Sequence, residues 1–124
     1  MSPGRIRVVV CDDSAAMRFL VRETLALSET VEIVAEAEDG VAALEQLRLH
    51  QPDVVLLDLS MPRQDGWETL PLLRTEFPGM RVVVLSGLDD GLAGRRAIEL
   101  GADRYVEKGI DPDALVAIVE ELGA

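Results

Sequence analysis

The sequence predicts an α/β fold in which a five-stranded parallel sheet, with strand order 2-1-3-4-5, is flanked by five helices. Short apolar segments alternate along the chain with segments whose apolar residues recur every three or four positions. The 124 residues are 48% hydrophobic but only 3% aromatic, and a core of Val, Leu, Ile and Ala is typical of a parallel sheet covered by helices. Right-handed crossovers between such units make the sheet doubly wound.

The predicted strands differ in how their apolar residues are arranged. They are Ile6 to Cys11, Val31 to Ala37, Val54 to Leu57, Val82 to Leu85 and Tyr105 to Val106. Strands one, three and four are apolar on both faces, as central strands of a parallel sheet are. In strand two, Glu32 and Glu36 alternate with apolar residues. One face of strand two is therefore exposed, and we predict this strand at an edge of the sheet, with strands one and three side by side.

Apolar residues at helical spacing predict a helix after each strand, and the last helix has the clearest pattern. Its apolar residues fall at positions i, i+3, i+4 and i+7: Leu115, Ile118, Val119 and Leu122. Asp111 can cap this helix, and Pro112 suits its first turn. Helix four contains Gly91 and Gly94, and each Gly costs about 1 kcal/mol relative to Ala. We expect helix four to be mobile or shortened.

Length and composition limit the kind of protein. Residues 1–124 suit a single domain. The chain has 12 Lys plus Arg against 23 Asp plus Glu, a formal net charge of −11, so direct binding to nucleic acid is not expected. No apolar segment approaches the roughly 20 residues that cross a bilayer, and the first residues lack the pattern of a secretion signal. We therefore expect a cytoplasmic protein, in which the one cysteine, Cys11, packs in a strand rather than reacts.

Polar side chains stand at the ends of four of the predicted strands. Asp12 and Asp13 follow strand one, Asp58 follows strand three, Ser86 follows strand four, and Lys108 ends strand five. The carboxyl ends of parallel strands lie at one edge of a sheet, and ligands bind there where the strand order reverses. We expect these residues to share one rim of the sheet.

Three carboxylates on one rim would repel one another. Two like charges 4 Å apart interact by about 4 kcal/mol at an effective dielectric near 20. Three Asp and one Lys leave a net charge of −2, which one divalent cation cancels, and carboxylate oxygens with room for water suit Mg²⁺. A carboxylate beside Mg²⁺, a lysine and a hydroxyl has the groups needed for phosphoryl transfer, with Asp58 as the nucleophile.

Each of these residues also has an ordinary structural explanation. Asp13 or Ser14 can cap the first helix, Ser86 can be a turn residue, and Lys108 can be a solvated surface charge. These explanations would have to coincide at four strand ends, which favours a shared site. Asp65 is predicted as a turn residue and not as a further ligand.

The single histidine and the single tryptophan lie outside this pattern. His50 is predicted on the surface near the end of helix two. A phosphoryl group would then come from outside the chain, from a partner kinase or a small acyl phosphate. Trp67 lies at the start of helix three. Its side chain either packs near the rim or is an ordinary core residue.

Four segments together resemble the receiver domain of bacterial two-component response regulators, and the resemblance extends from about Arg7 to Leu122. They are VVVCDDS ending at Ser14, LLDLSMPRQDG ending at Gly66, VVVLSG ending at Gly87 and GADRYVEKG ending at Gly109. The resemblance implies the flavodoxin-like, CheY-like arrangement of that family. It also implies a phosphoacceptor switch that promotes its own phosphorylation and dephosphorylation and is not a conventional turnover enzyme.

The resemblance implies a role for each rim residue. Asp58 would accept a phosphoryl group from a histidine of a sensor histidine kinase or a histidine phosphotransfer protein. Asp13, Asp58 and the backbone carbonyl of Ser60 would coordinate Mg²⁺, and Asp12 would help through water. Lys108 would bridge to the acyl phosphate.

The resemblance further implies a route from the rim to a binding surface. Ser86 stands at the position of a hydroxyl that swings toward the phosphoryl group, and Tyr105 at that of an aromatic ring that turns inward with it. The surface would consist of helix four, strand five and helix five, roughly 88–122, and would bind a downstream output protein or domain, or a second copy in a homodimer. The two Gly residues of helix four then have two explanations. Either phosphorylation or a partner orders this part of the surface, or the segment is only a loop that tolerates Gly. Ser60 and Leu88 would tune water access to the acyl phosphate.

The chain departs from many members of this family at Lys108-Gly109, where Lys-Pro with a cis bond is frequent. Without proline a cis bond costs about 3 to 4 kcal/mol, so we predict a trans bond, with Gly109 free to take positive φ. This variant resembles regulators that carry a C-terminal helix-turn-helix. The chain is either a stand-alone receiver or part of a longer regulator.

Two other classes of protein remain as alternatives. Haloacid-dehalogenase-like phosphatases also use an Asp nucleophile after a strand, but they have a second Asp two residues later, where this chain has Ser60. Turnover of phosphate esters would distinguish them. A receiver-like adaptor or dimerisation module that is not phosphorylated is the other alternative.

Overall fold

The computed structural model describes residues 5–87 and 91–124, which form five strands and five helices in strict alternation. The strands are β1 Ile6–Cys11, β2 Val31–Ala37, β3 Val54–Leu57, β4 Arg81–Ser86 and β5 Arg104–Glu107. The helices are α1 Ala15–Leu25, α2 Gly40–His50, α3 Gly66–Glu76, α4 Leu92–Glu99 and α5 Pro112–Gly123. Among the described residues, no helix has the length and apolar character needed to span a membrane.

The strands form one parallel sheet in the order β2-β1-β3-β4-β5, which confirms the predicted fold and the edge position of β2. β1 pairs with β3 so that Cys11 faces Leu57, and the residues after them leave the sheet side by side. β4 and β5 extend one residue beyond the predicted strands at each end, so Ser86 is the last residue of β4 and does not follow it.

The helices cover both faces of the sheet and create two apolar cores. One core contains buried residues from α2, α3 and α4, among them Leu47, Leu73 and Ala97. The other contains residues from α1 and α5, among them Val21 and Leu115. Because β1, β3 and β4 contribute to both cores, their side chains are buried on both faces, as their uniformly apolar sequences predicted.

The helix starts agree only in part with the predicted caps. The cap of α1 is Ser14, whose side chain accepts a hydrogen bond from Met17 N, and not Asp13. Asp111 takes the N-cap position of α5, but its side chain makes no capping hydrogen bond, which corrects the predicted role. Pro112 is the first residue of α5, as predicted.

Helix α4 is short, as predicted, with eight residues against eleven in each of α1, α2 and α3. The alternative expectation, that this helix is mobile, stays a prediction, and Leu88, to which a role was assigned, lies outside the described residues.

Two predictions about backbone and burial are confirmed. Cys11 is buried, and burial, together with the charge of Asp12, raises the pKa of its thiol to about 12, so it packs as an unreactive group. Among the described residues every peptide bond is trans, including Lys108–Gly109, and Gly109 has φ 96°. His50 is the last residue of α2 and is partly exposed, and its backbone carbonyl accepts a hydrogen bond from Arg7 Nη1 at 2.7 Å.

Candidate functional site

Three carboxylates meet where β1 and β3 end. Asp58 N donates a hydrogen bond to the carbonyl of Cys11 at 2.9 Å, which ties the beginning of one loop to the end of the neighbouring strand. Carboxylate oxygens of Asp12, Asp13 and Asp58 all lie within 4.8 Å of one another. The predicted convergence of these side chains is confirmed.

The three carboxylates differ in exposure. Asp12 and Asp58 are each only 3% exposed, whereas Asp13 is exposed to solvent. Burial, and then the negative charge of Asp12, raise the pKa of Asp58. Both effects disfavour the ionised form of Asp58, so a positive charge nearby would stabilise its carboxylate.

Lys108 supplies the positive charge at this rim. Its Nζ lies 2.9 Å from Asp12 Oδ2 and 3.4 Å from Asp58 Oδ1. Burial by itself lowers the pKa of Lys108, but the hydrogen bond to Asp12 and the charges of Asp58 and Asp12 more than offset this and raise it. Lys108 is therefore a charged member of the cluster and not a solvated surface residue.

Ser86 and Tyr105 lie on β4 and β5, on the side of the sheet beyond β3. Ser86 is buried at the end of β4, and its carbonyl accepts a hydrogen bond from Lys108 N at 2.7 Å, which fixes the backbone of the lysine. Tyr105 is half-buried on β5 and packs against the core formed with α2, α3 and α4. Ser86 thus belongs to the rim, and Tyr105 lies in the strand that leads to it.

The loop after β3 begins at Asp58, and residues further along the loop contact Asp58 again. Ser60 N donates to Asp58 Oδ1 at 3.3 Å. At the end of the loop, Gly66 N donates to the carbonyl of Leu59 at 3.0 Å. A Cβ atom at Gly66 would lie 2.2 Å from the carbonyl oxygen of Asp58. Only glycine permits this close approach of α3 to the site, a requirement that sequence analysis did not identify.

Sequence analysis also missed Arg18, which holds the loop after β1. Arg18 Nη1 donates to the carbonyl of Asp12 at 2.7 Å, and its Nε donates to Glu36 Oε1 at 3.1 Å. Glu36 lies on the edge strand β2, so no local pattern in the sequence connects these residues.

Asp65 and Trp67 lie at the start of α3. Asp65 is a turn residue, as predicted, and caps the helix: its Oδ1 accepts a hydrogen bond from Glu68 N at 2.9 Å, and Glu68 Oε1 accepts one from Asp65 N at 3.4 Å. Trp67 packs against the core that α2 and α3 share.

The donor set fits a hard divalent cation. It offers three carboxylates and no sulfur or imidazole ligand among the described residues, which suits oxygen-preferring ions such as Mg²⁺ or Ca²⁺. Burial and the charge of Asp12 raise the pKa of Asp58, and a dication would offset both effects. The acidic cluster can therefore hold a metal ion.

Comparison with known proteins identifies the family. A family model described as the response regulator receiver domain matches residues 8–120. Transcriptional regulatory protein DegU of Brevibacillus brevis is 35% identical over 120 residues, which cover 97% of this chain and 51% of DegU. NarL of Mycobacterium tuberculosis is 40% identical over 106 residues, covering 86% of this chain and 49% of NarL. The chain spans about half the length of both relatives.

Comparison with a solved structure points to the same family as the sequence relatives do. The signal receiver domain of Mycobacterium tuberculosis NarL is 36% identical and superposes with a TM-score of 0.91 over 98% of each chain. The acidic cluster lies at the carboxyl edge of the same five-stranded fold. The chain belongs to the family of response regulator receiver domains of two-component systems.

Proposed function

We propose that Asp58 accepts a phosphoryl group from a phosphohistidine on a partner sensor histidine kinase or histidine phosphotransfer protein. The observation that carries this proposal is the arrangement of Asp58, a nearly buried carboxylate with Lys108 Nζ 3.4 Å away and two further carboxylates beside it. Sequestration from water favours transfer over hydrolysis, and the lysine provides a charge for the incoming phosphoryl oxygens.

In the transfer step, a carboxylate oxygen of Asp58 attacks phosphorus. The bond between phosphorus and the donor's imidazole nitrogen breaks, and its electron pair returns to that nitrogen. The products are an aspartyl phosphate on this chain and an unphosphorylated histidine on the partner. Asp58 must be ionised to attack, and Lys108 and a metal ion both favour that form against the effect of burial.

Mg²⁺ is the proposed cofactor. Asp13, Asp58 and the backbone carbonyl of Ser60 would hold it directly, and Asp12 through water. When bound, it supplies positive charge for the phosphoryl oxygens. Asp12, buried and hydrogen-bonded to Ser14 N at 2.9 Å, keeps a fixed orientation toward the site.

Phosphorylation would change the contacts of three residues. Lys108 would exchange its pairing with Asp58 for a phosphoryl oxygen, and Ser86 would donate its hydroxyl to another. Tyr105 would turn inward with Ser86 and so alter the surface of α4, β5 and α5. This chain is thus a switch that promotes its own phosphorylation and dephosphorylation rather than a turnover enzyme.

The altered surface would signal to an output protein or domain in the cytoplasm, or mediate a homodimer. DegU is named as a transcriptional regulatory protein and NarL as a probable one, and each is about twice as long as the segment it shares with this chain. We place residues 1–124 in one receiver domain, whose net charge of −11 disfavours its own contact with nucleic acid.

Mass spectrometry after exposure to acetyl phosphate and Mg²⁺ tests the proposal. Wild type should gain one phosphoryl group, and Asp58→Asn should gain none. Asp65→Asn is a matched control, because it makes the same acid-to-amide change at the other end of the same loop, and it should still be phosphorylated. A wild-type protein that remains unmodified with acetyl phosphate and with a phosphorylated kinase would instead be an adaptor module.

A further inference from the structure

The part of the β3–α3 loop that follows Asp58, residues 59–65, contacts the beginning of α2. Gly40 N donates to the carbonyl of Gln64 at 2.7 Å. Gln64 Nε2 in turn donates to Thr69 Oγ1 on α3 at 3.2 Å. The first residue of α2 is therefore bonded directly to the loop that carries Ser60.

An ion pair reinforces this contact. Arg63 Nη2 lies 2.9 Å from Asp39 Oδ2, and the Asp39 side chain is only 4% exposed. The other oxygen of Asp39 accepts a hydrogen bond from Ala42 N at 2.8 Å and caps α2. A buried carboxylate without a cation is destabilising, so Asp39 favours the loop conformation that brings Arg63 to it.

The backbone of Arg63 indicates that this conformation is imposed. Arg63 has φ 63°, in the left-handed region that residues with a Cβ disfavour. The Arg63 side chain is 70% exposed, and its guanidinium pairs with Asp39 and, at 3.8 Å, with Glu38. Strained backbone persists where surrounding contacts compensate for it, and here the pairing with Asp39 and the adjacent hydrogen bond from Gly40 N to the Gln64 carbonyl are such contacts.

The opposite side of the same loop contacts Asp58. Ser60 N donates to Asp58 Oδ1, and Gly66 lies against the Asp58 carbonyl. The loop is thus fixed between α2 on one side and the candidate nucleophile on the other.

We propose that Arg63 and Asp39 are positioning residues for the metal site: their ion pair holds the loop so that the Ser60 carbonyl and the Asp58 carboxylate face a divalent ion together. This inference rests on the proposed binding of Mg²⁺. If Arg63 acted only through its charge, the opposite result would be expected. Removing the positive charge of Arg63 near the acidic cluster should then strengthen the binding of a dication.

Titration calorimetry with Mg²⁺ separates the two effects. Arg63→Gln should weaken Mg²⁺ binding about tenfold, as loss of an outer contact to a metal site does. Arg63→Lys keeps the charge and should restore much of the affinity. Arg48→Gln is the matched control: it removes the same charge from an exposed pair with Glu76, at 2.7 and 2.9 Å, on the outer surface of α2 and α3, and should bind as wild type does.

Hydrogen exchange in the metal-free protein gives a second measurement. Arg63→Gln should speed exchange of the amides of residues 60–66 relative to Arg48→Gln, with the central strands unchanged in both. Asp39→Asn keeps an acceptor for Ala42 N but loses the charge, and should speed exchange of the same amides.

The outcomes distinguish this inference from the proposed function. If wild type binds Mg²⁺ and Arg63→Gln binds it as tightly or more tightly, the positioning role is wrong and the metal site stands. If wild type takes up no Mg²⁺ in millimolar excess, both the positioning role and the proposed Mg²⁺ site are wrong.

Discussion

Among single residues, Asp58 lies in an unfavourable environment in the metal-free protein. Burial and the charge of Asp12 raise its pKa, and Lys108 only partly offsets this. The folded chain therefore binds the Asp58 proton more tightly than the unfolded chain, where the pKa of Asp is about 3.9. As pH rises through that value toward the raised one, the contribution of Asp58 to stability falls.

Asp58→Asn should accordingly stabilise the metal-free protein. At pH 7 in EDTA, we expect the free energy of unfolding by urea to rise by about 1 kcal/mol, because the amide removes both the burial cost and the repulsion from Asp12. The gain should shrink below about pH 4, where the carboxyl is protonated in both states. Glu121→Gln makes the same charge change at an exposed position and should alter stability little. An equal gain from both variants would indicate a general effect of net charge.

Millimolar Mg²⁺ should reverse the order of stability. A ligand that binds only the folded state stabilises it, by about 2.7 kcal/mol at a hundred times its dissociation constant. Wild type should therefore gain more from Mg²⁺ than Asp58→Asn does, in the same urea titration. Equal gains in the two proteins would contradict the assignment of Asp58 as a ligand.

At the scale of helices and strands, the position of α3 depends on how closely its first residue approaches β3. Gly66 begins α3 and its missing side chain leaves room for the Asp58 carbonyl, while Asp65 and Glu68 cap the same turn. A backbone contact at the site thus positions the helix. A substitution at this first residue of α3 should therefore affect both the stability of the protein and its binding of a metal ion.

Gly66→Ala should destabilise the protein by about 3 kcal/mol, since a Cβ 2.2 Å from the Asp58 oxygen forces α3 and the strand end apart. The same variant should bind Mg²⁺ more weakly. Gly79→Ala is the control, because a Cβ there meets no atom within 4 Å. Urea unfolding and calorimetry would measure both effects, and a Gly66→Ala variant as stable as wild type would show that the contact is dispensable.

For the molecule as a whole, a single sheet connects the two cores. The central strands contribute to the core under α2 and α3 and to the core under α1 and α5, so we expect the two cores to unfold together. Trp67, the one tryptophan, packs against the first of them. Its fluorescence can therefore report whether damage to the second core reaches the first.

Leu115→Ala, in the second core, should shift the unfolding midpoint seen by Trp67 fluorescence. Loss of this nearly buried side chain should cost about 2 to 5 kcal/mol, and midpoints from fluorescence and far-UV circular dichroism should coincide if the protein unfolds as one unit. Leu49→Ala, at an exposed position, should shift neither. A fluorescence midpoint that stays unchanged in Leu115→Ala would indicate two independently unfolding parts.

Most of the fold and the acidic cluster could be predicted without coordinates. Strand and helix periodicity is local, and the residues that follow parallel strands must share one edge, so Asp12, Asp13 and Asp58 could be brought together by topology alone. The same reasoning identified Cys11 as a packing residue and β2 as an edge strand.

Contacts between distant parts of the chain were decided only by the tertiary structure. Arg18 pairs with Glu36, Arg63 with Asp39, and Lys108 with Asp12 as well as Asp58, and each pair joins residues in different parts of the fold. The closeness of Gly66 to Asp58 likewise depends on how α3 packs. Residue type and spacing determine which elements form and where they end, whereas side-chain pairing across elements depends on distances that arise only when those elements pack.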